Sequence, residues 1–198
     1  MGAPPDLYLA STSPRRHELL TRAGLRFAPC APGAEYDVDG GEHVEEVGAP
    51  SELARARARR KAVGARPPDA RAPVLAVDTV VDLDGRELGK ASDLDAAAAL
   101  LRRLAGREHR VHTAHCLVEP GGGALEEVAT SVVACRLPSA AELDRYLASG
   151  QWRGKAGAYG IQDPAQDFLR LVSGSFDTVV GLHVDAVRRL LRRAEAAR

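Results

Sequence analysis

Lysine is scarce in this chain. Lys61, Lys90 and Lys155 are the only three in 198 residues, against 24 arginines. Such a bias follows codon usage, and lysines that persist against it are candidates for sites where a compact ammonium serves and a planar guanidinium is too large. Cysteine is scarce too. Cys30, Cys116 and Cys135 are an odd number, and no two share the spacing of a metal knuckle or a redox pair. Free thiols in a reducing cytoplasm are therefore expected, and a disulfide scaffold is not. Net charge is zero, so the chain as a whole is no polyanion binder, although a local basic pocket is compatible with that balance. Few aromatics and no net charge speak against a nucleic-acid-binding module. No apolar run is long enough to span a bilayer. The first residues lack a basic region followed by an apolar stretch, so no secretory signal is expected. The chain reads as cytoplasmic, with neither a membrane nor a nucleic acid as partner.

What is present alternates between helix and strand. The length suits one domain or two closely joined lobes, with a core that needs no staples. Leu7-Tyr8-Leu9-Ala10 is a short apolar run, followed by Ser13 as N-cap and Pro14 as first helical residue. Residues 27–31 suggest a second strand, 32–49 a polar Gly-rich loop and Pro50 to Ala65 a helix. Val74 to Val77 reads as a buried strand with Asp78 at its end. Val80 to Leu88 reads as a hairpin turning at Asp84-Gly85. Ser92 with Asp95 resembles a capping box opening a helix that runs to about Leu104. Two strands, Arg107 to Glu119 and Leu125 to Leu137, precede a helix capped by Ser139. A Gly-rich segment from Gly150, a strand at Phe168 to Val172 and an amphipathic helix from Val179 to Ala197 complete the chain. This order predicts an α/β architecture with a mixed sheet.

Three stretches carry chemistry. Ser11-Thr12-Ser13-Pro14-Arg15-Arg16 lies where a strand enters a helix N-terminus. Outward N–H groups, two hydroxyls and two guanidiniums there suit a phosphate chain. The same residues also make an ordinary capped helix bearing two solvated arginines. Asp78-Thr79, with Gly89-Lys90 after the hairpin, offers a carboxylate that could ligate Mg²⁺ or orient a water, and an ammonium for a phosphate oxygen. The alternative is a turn cap and a surface lysine. Gly154-Lys155-Ala156-Gly157-Ala158-Tyr159-Gly160-Ile161-Gln162 allows close backbone approach to a ligand, with Lys155 and Gln162 as polar contacts, or serves as a flexible connector. It follows neither the Walker pattern nor the dinucleotide fingerprint. His109, His112 and His115 recur every third residue in a strand and so face alternate sides, which argues against a shared metal. Arg55, Arg57, Arg59 and Arg60 read as a solvated helix face.

In this order the blocks LYLASTSPRRHELL, LAVDTVVDLDGRELGKASD, HRVHTA, GKAGAYGIQ and GSFDTVVGL resemble the Maf family of nucleotide pyrophosphatases. The resemblance implies an elongated, two-lobed α/β fold of the Maf/ITPase-like kind with a central cleft, forming one domain over 1–198 and often a homodimer. It implies hydrolysis of a nucleoside triphosphate to the monophosphate and pyrophosphate with Mg²⁺ or Mn²⁺. Carried over residue by residue, Ser11, Arg15 and Arg16 match the phosphate-binding turn, and Asp78 matches the catalytic acid. Lys90, Lys155 and Gln162 match further polar groups of the site, and Thr79 lies in the same block. Arg57 stands where the family usually has lysine. Where the family has an acidic pair after the second strand this chain has Ala34-Glu35-Tyr36-Asp37. Glu35 is then the expected metal-associated acid beside Asp78, with Asp37 next.

The chain departs from the family at Ala91, where proline is usual, at His183, another common proline, and at Asp163, which replaces a glycine after Gln162. Asp163 places a negative charge beside the expected anion site. Arg15-Arg16, Asp78-Thr79 and Lys155 to Gln162 resemble the branch acting on dTTP and UTP. The 7-methyl-GTP branch instead tends to an aromatic, a glutamine and a glutamate at the corresponding places. A cationic methylated base suits an aromatic and an acid, whereas a neutral pyrimidine suits the two-way hydrogen bonding of Gln162. The rival readings are a 7-methyl-GTP-type enzyme and a nucleotide-binding regulator of cell division without turnover.

Overall fold

The computed structural model describes residues 5–33 and 48–196. The expected acids Glu35 and Asp37 lie outside the described residues. Strands β1 (Leu7–Ala10), β2 (Phe27–Cys30), β3 (Val74–Leu83), β4 (Arg86–Leu88), β5 (Arg107–Val118), β6 (Ala124–Cys135) and β7 (Leu169–Ser173) form one sheet in the order β2-β1-β3-β5-β6-β7, with β4 beside β3. The pairs β1–β2 and β1–β3 are parallel, and the remaining pairs are antiparallel. The sheet is thus mixed, as the alternation predicts.

Helix α1 (Pro14–Arg22) follows β1 and α2 (Pro50–Val63) precedes β3. Ala54, Ala58 and Ala62 of α2 pack with Tyr8, Val74, Ala76 and Val80 on one face of the sheet. Small residues on the helix let it lie close to the strands. On the other face Leu19 and Leu20 of α1 and Val187 and Leu190 of α6 (Val184–Ala196) cover Leu7, Leu9, Leu75 and Val77. A third core joins Val81, Leu83 and Val133 to α3 (Leu94–Leu104) and α4 (Ala140–Ala148), with Tyr146 edge-on to Phe168. Each fully buried leucine in these cores contributes about 1.5–3 kcal/mol.

Local signals explain most element ends. Asp84 (φ 56°) and Gly85 (φ 78°) are the two central residues of a tight hairpin joining Leu83 to Arg86, the backbone that two-residue hairpin loops require. Ser139 and Glu142 form a reciprocal capping box on α4. Three expectations are corrected. Asp78 lies mid-strand rather than at a strand end, because β3 pairs with β5 without interruption from Val74 to Asp82. Asp93, not Ser92, caps α3, its carboxylate accepting from the Ala96 N–H at 2.8 Å. The terminal helix is two helices, α5 (Phe176–Val180) and α6, because Gly181 breaks it at φ 124°.

This topology makes a gap. Along one side of β3, β1 pairs only at Val74 and Leu75, and β4 only at 81–83. Residues 76–80 lie between these two partners. Asp78 therefore sits where the sheet opens, in a strand held rigid from its other side.

Candidate active site

The gap opens into a cleft of about 330 Å³, within the range of small-molecule sites. One wall is the turn Ser11 to Arg16 with Gly181, the floor is Lys61, Asp78 and Thr79, and the opposite wall is Lys90 with Arg153 to Ala156 and Gln162. All three lysines of the chain line it. Of the expected residues Ser11, Arg15, Arg16, Asp78, Thr79, Lys90, Lys155 and Gln162 converge here. Arg57 does not line the cleft: its guanidinium forks onto Glu87 of β4 at 2.6 and 2.8 Å. The lysine on the same helix that does reach the cleft is Lys61, one turn further on. Sequence reasoning missed it as a site residue, and its rarity was the available signal. Arg153 was also missed, and its place beside the Gly154-Lys155 block was the only sign.

Strand alternation sets the floor. Asp78 points to the α2 face with Val74, Ala76 and Val80, and Thr79 points the other way. Lys61 Nζ accordingly donates to Asp78 Oδ1 at 2.9 Å, with both side chains nearly buried (7% and 12% exposed). Asp78 Oδ2 carries no hydrogen bond from the described residues and keeps its lone pairs. On the other side Arg16 reaches Thr79 Oγ1 through Nη2 at 3.4 Å, Ser11 Oγ through Nη1 at 3.1 Å and the Gly181 carbonyl through Nε at 2.9 Å. The Thr113 hydroxyl donates to the Thr178 carbonyl at 2.7 Å, so Thr79 is the donor in its 3.0 Å contact with Thr113. Arg16, Thr79 and Thr113 thus form a directed chain that orients the guanidinium. Ser11 Oγ also accepts from the Ser13 N–H at 3.2 Å, which leaves its proton available to a ligand. Ser13 caps α1 by position without a side-chain bond.

Arg15, exposed Lys90 and exposed Gln162 make no side-chain hydrogen bond within the described residues. Lys155 differs: its ammonium contacts both Asp163 oxygens, at 2.5 Å to Oδ2. Asp163 is itself buried and also accepts from the Tyr146 hydroxyl at 2.7 Å and the Gly160 N–H at 2.9 Å. Burial, and then the Asp163 carboxylate, push the Tyr146 phenol up, so that it donates throughout the physiological range. Tyr159, which also lines the cleft, pairs with His109 at 2.6 Å. Burial pushes Tyr159 up and His109 down to about 4, so this pair is neutral.

The three strand histidines go separate ways. His109 meets Tyr159, His112 bridges Thr130 and Asp82, and His115 accepts the His183 N–H. The arginine face of α2 is engaged rather than merely solvated, with Arg55 and Arg59 both on Glu126.

Among the described residues, six cations and one carboxylate line the cleft, in a chain with no net charge. Among the described residues no three His, Cys, Asp or Glu side chains converge as a ready metal cage. The Asp78 carboxylate is a group of the kind that Mg²⁺ takes, since that ion is held by one or two protein carboxylates and fills its shell with water and phosphate oxygens. No helix of the described residues is long and apolar enough to cross a membrane.

A protein named dTTP/UTP pyrophosphatase from Bordetella avium is 43% identical over 198 residues, covering 98% of this chain and 97% of its own length. One of the same name from Agrobacterium fabrum is 42% identical over 191 residues, covering 93% and 90%. A solved nucleoside-triphosphatase / dITP/XTP pyrophosphatase from Mycobacterium abscessus aligns at a TM-score of 0.43 and 20% identity, over 96% of this chain and 97% of that one. The family model described as Maf-like protein matches residues 6–194. The chain belongs to the Maf-like family.

Proposed function

We propose that this chain is a nucleoside-triphosphate pyrophosphatase that hydrolyses dTTP and UTP to the monophosphate and pyrophosphate. The observation that carries the reading is the cleft itself: among the described residues, the chain's three lysines and three of its arginines surround Asp78. Relatives 40–43% identical over nearly the whole chain bear that name. In the reaction a water oxygen bonds to the α-phosphorus and the bond to the α–β bridging oxygen breaks. The leaving pyrophosphate takes the electron pair. Cations already in place stabilise that charge without reorganising when it forms. Lys61 holds Asp78 Oδ1, so Oδ2 is the oxygen left to receive the attacking water or to meet a cation. Ser11, Arg15 and Arg16 bind phosphate oxygens from one wall, and Lys90 and Arg153 from the other.

A divalent cation, Mg²⁺ or Mn²⁺, belongs to this reading. Asp78 and Glu35 would hold it together with substrate oxygens, and when bound it supplies further positive charge to the phosphates. The homodimer and the cytoplasmic location belong to it as well. Gln162 offers the base a donor and an acceptor, which suits thymine or uracil. The Asp163 carboxylate is taken up by Lys155, Tyr146 and Gly160, which supports a neutral base over a cationic one. The test is a nucleotide panel with Mg²⁺ and a pyrophosphate assay. dTTP and UTP should exceed 7-methyl-GTP in kcat/KM. Preference for 7-methyl-GTP would overturn the base assignment, and binding without product would favour a regulator.

A further inference from the structure

Lys155 lies in the cleft wall, yet its ammonium is covered. Its side chain is 12% exposed, and Nζ spends two of its three donors on the Asp163 carboxylate, itself 6% exposed. Oδ2 of Asp163 also accepts from the Tyr146 hydroxyl and the Gly160 N–H. Independent of these bonds, the backbone at Gly160 is shaped around the same carboxylate. A Cβ there would stand 2.6–2.8 Å from the Asp163 carboxylate atoms, closer than any side chain permits. The Asp163 N–H returns to the Gly160 carbonyl at 3.0 Å and closes the turn that presents Gln162. Tyr146 anchors the assembly in the third core, where its ring is fully buried.

We propose that Asp163 is a positioning residue: it takes the Lys155 ammonium as an internal partner, fixes segment 160–162 against α4, and leaves Lys90 and Arg153 as the phosphate cations of this wall. Lys155 is then a staple of the loop and not a substrate contact. The inference rests on the proposed nucleotide site and assigns different work to two of its residues. It follows that the two charges matter as a pair. Removing one partner of a buried ion pair strands the other, whereas neutralising both together is nearly without effect.

The test is a double-mutant cycle of Lys155→Met and Asp163→Asn. It is read by kcat/KM for dTTP, by affinity for the non-hydrolysable α,β-imido analogue of dTTP, and by thermal melting. Each single variant should melt lower and lose roughly tenfold or more in kcat/KM and in affinity. The double variant should return to within about threefold of wild type on both ligand readouts and regain most of its melting temperature. If the double variant binds and turns over as poorly as Lys155→Met while melting like wild type, Lys155 touches the phosphates and the proposal is overturned. If a single variant does not fold, the double variant alone decides, since a direct contact at Lys155 would still be missing from it. Wild type without binding or turnover would instead sink the nucleotide reading, and the melting cycle would still report whether the pair is coupled.

Discussion

Lys61 and Asp78 come from α2 and the middle of β3, and folding alone brings them to 2.9 Å. Both are largely dry, so Lys61→Met strands a carboxylate and should cost about 3 kcal/mol of stability. Lys90 is exposed and bonds to no side chain among the described residues, and its removal should leave the melting temperature unchanged. Losing one charge-assisted phosphate contact costs about 1.5–3 kcal/mol, so Lys90→Ala should lower kcat/KM roughly 10- to 100-fold. Melting curves and steady-state kinetics on the two variants check the division of labour. A Lys90→Ala protein as destabilised as Lys61→Met would refute it. At this scale the sequence was informative where a residue type is rare. Three lysines among 24 arginines stood out, and all three line the cleft. Arg57 entered only through the family resemblance, as the residue standing where lysine is usual, whereas the structure brings Lys61, one turn further along α2, to the cleft. The partner of Lys155 was hidden because Asp163 reads as a charge in a loop until Tyr146 and Gly160 close around it.

Between α5 and α6 the chain turns at Gly181, whose carbonyl receives Arg16 Nε. With φ at 124° this residue occupies a region that side chains disfavour. An added Cβ would meet only Thr79 Oγ1 and Arg16 Nε at ordinary contact distances, 3.6 and 3.7 Å. Gly181→Ala should therefore act through backbone strain, about 1–3 kcal/mol. Relief of that strain would shift the carbonyl that anchors Arg16, so KM should rise together with the fall in melting temperature. An unchanged KM in a destabilised variant would show that the Arg16 anchor does not depend on this turn. The elements themselves were largely legible, since apolar runs, Ser139 with Glu142 and Asp84-Gly85 mark strands, cap and hairpin by local chemistry. Two junctions were not. The Asp78 carboxylate suggested a strand end, but nine consecutive pairings with β5 carry the strand past it. The apolar period from Val179 onward continues across Gly181, so nothing but the backbone angle reveals the break.

Across the whole molecule the sheet carries three cores. Two buried histidines of β5 tie its stability to pH. Burial pushes His115 down to about 3 and His109 to about 4, while an unfolded chain titrates them near 6.5. Between these values the unfolded state binds more protons, so their contribution to stability is complete above about pH 6.5 and is lost as pH falls toward 4 and then 3. Melting temperature should drop over that window, and the drop should be shallower in His115→Gln, which titrates one group fewer. An equal slope in that variant would remove His115 from the account. Electrostatics also separate the cleft from its surroundings. The chain is neutral overall, yet among the described residues six cations gather around Asp78 there, an arrangement that draws in a polyanion. The most direct measurement is pyrophosphate release from dTTP and UTP by wild type and Asp78→Asn side by side, with melting curves of both. Wild type should release pyrophosphate, and Asp78→Asn should do so about 100-fold more slowly while remaining folded. A folded Asp78→Asn protein with near wild-type kcat would contradict the assignment of this cleft as the place where the phosphoanhydride is cut.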